Sequence, residues 1–189
     1  MTWGKGRATT HPAFLSILLL ASAVTVADAQ LMHPNPALAQ TRQGFWASGG
    51  LGYGSASCGQ GGIGGGSAAL AAGWTVSPRL LVAIGTNRWS RSERRLSLGL
   101  STLDARVRFY PDLAFGFFFT GGLGLGAIHL GDTRGTSMTF TGAGILGGAG
   151  YDIALVPTVS LTPFANLYLV RASGMRYTVA QMGMGLTIH

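Results

Sequence analysis

Charge is scarce in this chain, so each charged residue invites a chemical reading. Asp104, Arg106 and Arg108 recur at every second position, which sets all three on one face of an extended segment and leaves Leu103, Ala105 and Val107 on the other. Arg106 stands five residues before Pro111, and Asp152 stands five before Pro157. If both prolines mark turns at one end of a sheet, the two side chains lie at similar heights. Arg106 is then expected to reach Asp152 across an interior where an unpaired charge would be costly. Asp104, Arg106, Arg108 and Asp152 would form a buried charge cluster, serving either as an ion-selective constriction or as a plug of paired charges. The plug is the favoured reading.

A second group is lopsided rather than clustered. Arg88, Arg91, Arg94, Arg95, Arg134, Arg171 and Arg176 fall in or beside polar connections, with only Glu93 and Asp132 near them. Guanidinium groups pair well with phosphate, so these residues read as an arginine ring with affinity for phosphorylated surfaces, or else as solvated charges without a specific partner. Trp89 beside them reads as an interfacial aromatic anchor.

Catalytic patterns are thin. Nucleophilic catalysis needs a base next to a nucleophile, yet His129 is followed by Leu130 and Gly131, and Ser137 lies eight residues on. His33 and His189 stand near the ends of the chain. Gly142-Ala143-Gly144-Ile145-Leu146-Gly147 matches the dinucleotide fingerprint, but neither the following helix nor the later acidic residue is present. No His, Cys and carboxylate constellation suggests a metal, and neither a cofactor nor catalysis is expected. Cys58 is the single cysteine and reads as an ordinary loop residue.

The elements that must carry these side chains follow from composition and period. Hydrophobic residues make up 47% of the 189 and charged ones 10%, against about 25% charged in ordinary soluble domains. The N-terminus reads as a cleavable signal peptide over residues 1–29: Lys5 and Arg7, an apolar run from Ala13 to Val24, then Ala27-Asp28-Ala29. Ala37-Leu38-Ala39 offers a second small-x-small site. Removing residues 1–29 takes Lys5, Arg7 and Asp28 from 13 basic and 6 acidic residues, leaving eleven arginines against five carboxylates. An exported chain with that spread of arginines is not a nucleic-acid binder. Residues 30–43, with Pro34 and Pro36, read as a flexible lead-in.

From Gly44 to His189 small and apolar residues alternate at period two. Tight turns at Pro78, Pro111 and Pro157 alternate with longer polar connections at Ser55–Gly61, Arg91–Arg95, Gly131–Met138 and Ala172–Met175. The alternation predicts eight strands: Gly44–Gly54, Gly62–Val76, Leu80–Ser90, Leu96–Phe109, Leu113–Leu130, Thr139–Leu155, Val159–Arg171 and Arg176–His189. Met182, Met184, Leu186 and Ile188 should share an apolar outer face. Leu96, Leu98 and Leu100 are out of phase with Leu103, Ala105 and Val107, which predicts a β-bulge near Ser101 or Thr102. Leu113–Leu130 carries no charge and could pass for a membrane helix, but its five glycines would cost such a helix about 4–5 kcal/mol. Gly122, Gly124 and Gly126 instead line one side of a strand. The fold class is therefore all-β: an eight-stranded antiparallel transmembrane up-and-down β-barrel over residues 44–189, preceded by the signal peptide.

Arg108-Phe109-Tyr110-Pro111, Gly116-Phe117-Phe118-Phe119-Thr120-Gly121-Gly122-Leu123-Gly124, Gly150-Tyr151-Asp152 and Leu161-Thr162-Pro163-Phe164 resemble the small bacterial outer-membrane β-barrel proteins of the OmpA/OmpX-like type. The resemblance covers residues 44–189. It implies residence in the cell outer membrane as a monomer, in contact with outer-membrane lipid and, through the arginine ring, with lipopolysaccharide. Gln181, Gly183, Leu186 and Ile188 resemble the signal read by the barrel-assembly machinery, although the chain ends in His189 where phenylalanine is usual. The expected role is structural or one of cell-surface interaction, with the lumen plugged by side chains. A narrow channel for a small or hydrophobic solute is the alternative, and a lipid A-modifying enzyme, with His129 as its base, a more distant one.

Overall fold

The fold is given by a computed structural model that describes residues 42–58, 61–93, 96–132 and 137–189. The signal peptide, both cleavage sites, most of the lead-in, Arg94, Arg95 and Arg134 lie outside the described residues. The described elements are β1 (Phe45–Ser57), β2 (Gly62–Ser77), β3 (Leu80–Glu93), β4 (Leu96–Phe109), β5 (Phe117–Asp132), β6 (Ser137–Tyr151), β7 (Ile153–Val156), β8 (Val159–Ala172) and β9 (Met175–Ile188). Every pairing is antiparallel, β1 joins β9, and β6 joins β8, so the sheet closes on itself. β6 and β7 are two parts of one strand, since both pair with β8. The result is an eight-stranded up-and-down barrel.

Period-two patterning divides the barrel into two faces. Leu51, Leu70, Trp74, Ile84, Leu103, Leu123, Leu125, Ile145, Met182, Met184, Leu186 and Ile188 are exposed on the outer wall. A continuous apolar belt of this kind is stable only against lipid, and closure leaves no unpaired edge within it. Phe45, Trp74, Phe109, Phe117 and Phe119 ring the end of the belt nearest the proline turns. Phe45 and Trp74 meet edge to face at 6.4 Å between ring centroids.

The inward positions hold large side chains, and glycines opposite them make the room. A Cβ at Gly65 would lie 2.8 Å from the Trp89 ring, and one at Gly85 would collide with the Arg106 guanidinium. A narrow barrel can hold such residues only if facing positions lack side chains. The glycine-rich dinucleotide look-alike, Gly142 to Gly147, is simply part of β6.

Several boundaries and one phase differ from the sequence expectation. β4 runs without a bulge, in unbroken register with both neighbours, and its even positions from Leu98 to Arg108 face inward. Leu100 is fully buried in the lumen and Leu98 packs against the same cluster. The leucines change phase because the lumen itself changes from polar to apolar along its axis. The register irregularities lie at Thr75/Ser77 and Ala154/Val156 instead.

The turns at Pro78 and Pro157 are two residues long, as expected, but the other connections depart from the expected lengths. At the end away from the prolines they span only residues 58–61, 94–95, 133–136 and 173–174. Ser92 pairs with Ser97 and Gly131 with Ser137, because backbone ladders continue past the apolar belt whatever the side-chain polarity. The last of these is a two-residue turn in which both Ser173 (φ 50°) and Gly174 (φ 79°) are left-handed, as a type I′ hairpin requires. Conversely, Pro111 opens a seven-residue connection over Tyr110–Gly116. Asp112 Oδ1 accepts from the Ala114 N–H at 2.8 Å, a local bond that competes with strand formation. Leu113 to Gly116 therefore stay out of β5.

Candidate functional site: a filled lumen and an outer rim

The lumen is filled in three layers. Nearest the short hairpins, Trp89, Leu100, Ile128, Leu146, Tyr168, Val170 and Val179 form a buried apolar layer. The Trp89 indole donates to the Gly54 carbonyl at 2.9 Å. Trp89 is thus an inward residue and not the interfacial anchor expected, because odd positions of β3 point into the barrel.

Below it lies a polar layer. Arg106 grips Asp104 with both arms of its guanidinium, Nε to Oδ1 at 2.7 Å and one terminal nitrogen to Oδ2 at 2.9 Å. Asn87 donates to Thr102 Oγ1 at 3.0 Å, Thr102 donates to Asp104 Oδ2 at 3.2 Å, and Gln181 donates to Asn87 Oδ1 at 3.3 Å. The polar Gln181 of the assembly-signal pattern thus points inward, as does Gly183, while Leu186 and Ile188 lie on the outer wall.

The third layer is the floor at the proline end. Asp152 is buried and accepts from Tyr110 at 2.6 Å and from Thr162 at 2.6 Å. Arg108 approaches to 4.0 Å and the His189 ring to 3.6 Å. The Arg108 guanidinium is sandwiched between Trp46 and Phe118, 4.5 and 4.0 Å from their ring centroids, an arrangement that stabilises a desolvated cation. Tyr110, in the connection after β4, has its phenol held well above its ordinary range, by burial first and by the Asp152 carboxylate against the opposing pull of Arg108. It therefore remains a donor. Arg42, expected in a flexible lead-in, is buried over the Tyr110 ring at 3.8 Å and donates to the Phe115 carbonyl.

All four residues of the expected charge cluster line the lumen, but the expected Arg106–Asp152 pair does not form. A same-strand carboxylate two residues away offers Arg106 a bidentate partner without crossing the barrel. Asp152 is instead enclosed by Tyr110, Thr162, Arg108 and His189. The C-terminal histidine had no signal in the sequence beyond its unusual position. A cavity of about 40 Å³ bordered by Arg106, Arg108, Thr162, Asn166 and Thr187 lies beside these charges, polar and large enough to hold water.

On the outer wall, Arg88, Arg171 and Arg176 are exposed, whereas Arg91, on the inward side of β3 at the rim, bonds the Gly64 carbonyl at 2.8 Å and Glu93 at 3.5 Å. Arg171 and Arg176 are directly paired in the β8–β9 ladder, and neither forms a salt bridge among the described residues. His129, also on the outer wall, does have a serine beside it. Its Nε2 lies 3.2 Å from Ser101 Oγ on β4, and its Nδ1 lies 3.1 Å from Thr139 Oγ1 on β6. Strand pairing, not chain distance, brings this serine near.

No family model matches the chain, and no curated protein sequence matches it. Solved structures do. The crystal structure of Neisserial surface protein A aligns with a TM-score of 0.61 and 20% identity over 77% of this chain and 97% of that one. Ail, the attachment invasion locus protein of Yersinia pestis, aligns at 0.56 and 12% over 77% of this chain and 99% of its own. A second Ail structure, in complex with the heparin analogue sucrose octasulfate, aligns at 0.56 and 13% with the same coverage. With an apolar outer belt, a closed sheet and these likenesses together, the chain has the fold of the small eight-stranded outer-membrane β-barrels.

Proposed function

We propose that the protein resides in the bacterial outer membrane as a monomeric, sealed barrel, folded there by the barrel-assembly machinery, and that it serves a structural and surface-interaction role. The observation that carries this reading is the apolar layer of Trp89, Leu100, Ile128, Tyr168, Val170 and Val179 stacked on a polar layer in which Arg106 and Asp104 pair through two bonds. An ion crossing it would shed its hydration against hydrocarbon, at a cost of tens of kcal/mol in the limit of no relaxation. In planar bilayers the purified protein is expected to give no unitary conductance. Steady conductance that changes in Arg106→Ala would overturn the sealed-barrel reading in favour of a channel.

The interaction partner supported best is a phosphorylated surface lipid, lipopolysaccharide in such a membrane. Arg171 and Arg176 face each other across a ladder, where like charges repel, and a shared anion would relieve that repulsion. The Ail complex with a polyanion lends the reading support from a protein of the same fold. Replacing both arginines with serine is expected to lower lipopolysaccharide co-purification several-fold. Unchanged co-purification would remove the phosphate reading.

A further inference from the structure

The outer wall holds a hydrogen-bonded constellation that the sealed-barrel reading leaves unused. Ser101, His129 and Thr139 sit on three adjacent strands and on the same outer face, joined by the hydrogen bonds at 3.2 and 3.1 Å. With the imidazole proton on Nδ1, the ring donates to Thr139 Oγ1 and its Nε2 accepts from the Ser101 hydroxyl. That is the polarity a nucleophile, base and orienting acceptor require.

Register explains how the three meet. His129 is directly opposite Thr139 on β6 and directly opposite Gly99 on β4, while Ser101 lies one diagonal step from it. A Cβ at Gly99 would touch the His129 Cβ at 3.5 Å and its Cδ2 at 3.8 Å, so the bare glycine leaves the ring free to lean toward the serine. Arg88 is directly opposite Ser101 on β3 and exposed on the same face.

The height of the trio selects the substrate. Below Ser101 the outward residues of β4 are Leu103, Ala105, Val107 and Phe109, and below His129 those of β5 are Ala127, Leu125 and Leu123. Two residues of strand rise are about 7 Å, so the trio stands just above the hydrocarbon belt, at the level where lipid acyl chains join their polar heads. The bonds found there are carboxylic esters.

We propose that Ser101, His129 and Thr139 are a catalytic set on the lipid-facing wall that hydrolyses acyl esters of a neighbouring phosphorylated lipid. Ser101 Oγ attacks the ester carbonyl carbon while its proton passes to His129 Nε2. The tetrahedral intermediate then expels the lipid alkoxide, which takes that proton, leaving an acyl-serine. Water, activated by the same nitrogen, attacks the acyl-serine and releases the fatty acid and free Ser101. Thr139 fixes the ring and tautomer, and Arg88 supplies the positive charge facing the oxyanion and the lipid phosphate.

Full-length protein in detergent micelles, with p-nitrophenyl acyl esters and a fluorophosphonate probe, tests this. Wild type is expected to hydrolyse the esters and to carry the phosphonyl adduct on Ser101 by peptide mass spectrometry. Ser101→Ala should fall to background, and His129→Asn should lose about 10²–10⁴-fold in kcat. Thr139→Val should lower kcat at unchanged KM, with Thr139→Ser restoring it. Heat-shifted gel mobility verifies that each variant is folded, and the adduct requires no variant at all. An unmodified Ser101 in the folded wild type, or hydrolysis equal to that of Ser101→Ala, would overturn the proposal.

Discussion

At the residue scale the buried charges decide most. Asp104 and Arg106 are both nearly inaccessible and joined by two short bonds, so removing one strands the other. Asp104→Ala is expected to cost about 3–5 kcal/mol, whereas the double replacement Asp104→Leu with Arg106→Met should be close to neutral. Equilibrium denaturant unfolding in detergent checks both. The residue types and their shared face were legible in the sequence, because period two assigns sides. Their partners were not. Asp152 lay at the right height for Arg106 but is already surrounded by Tyr110, Thr162, Arg108 and His189, three of which come from distant parts of the chain.

At the element scale, glycine works in two different ways. Inward, it vacates space: a Cβ at Gly65 would press on the Trp89 ring at 2.8 and 2.9 Å, and Trp89 is wholly buried. Outward, at Gly147, a Cβ would meet nothing within 4 Å. Gly65→Val is accordingly expected to lose about 1–3 kcal/mol or more by overpacking, seen as loss of the heat-shifted folded band. Gly147→Val should leave that band intact and raise stability slightly through strand propensity. Strand existence was readable from alternation, but not the bulge-free course of β4. Its inward leucines look out of phase only if the lumen is assumed polar along its whole length. The interruption at Asp152 was equally hidden, since it depends on β5 starting only at Phe117 and leaving β7 paired with β8 alone.

At the scale of the whole molecule, the apolar belt fixes what surrounds the barrel. Leu123, among the most exposed residues of that belt, should be intolerant of charge: Leu123→Arg is expected to cost about 2–4 kcal/mol, against about 0–1 for Ser97→Arg near the rim. Guanidinium unfolding in phospholipid vesicles measures the difference, and equal costs would mean that the outer wall does not face lipid as described. The sequence by itself determined the all-β class, the number of strands, the lipid-facing side of β9, and the burial of Asp104, Arg106, Arg108 and Asp152. Those follow from local period and composition, which each strand carries alone. Only the tertiary structure decided that Trp89 and Leu100 seal the lumen, that Arg106 turns to Asp104, that His189 closes on Asp152, and that Ser101 stands beside His129. Each of these depends on which strand lies next to which and in what register, and pairing between strands is a property of the closed barrel.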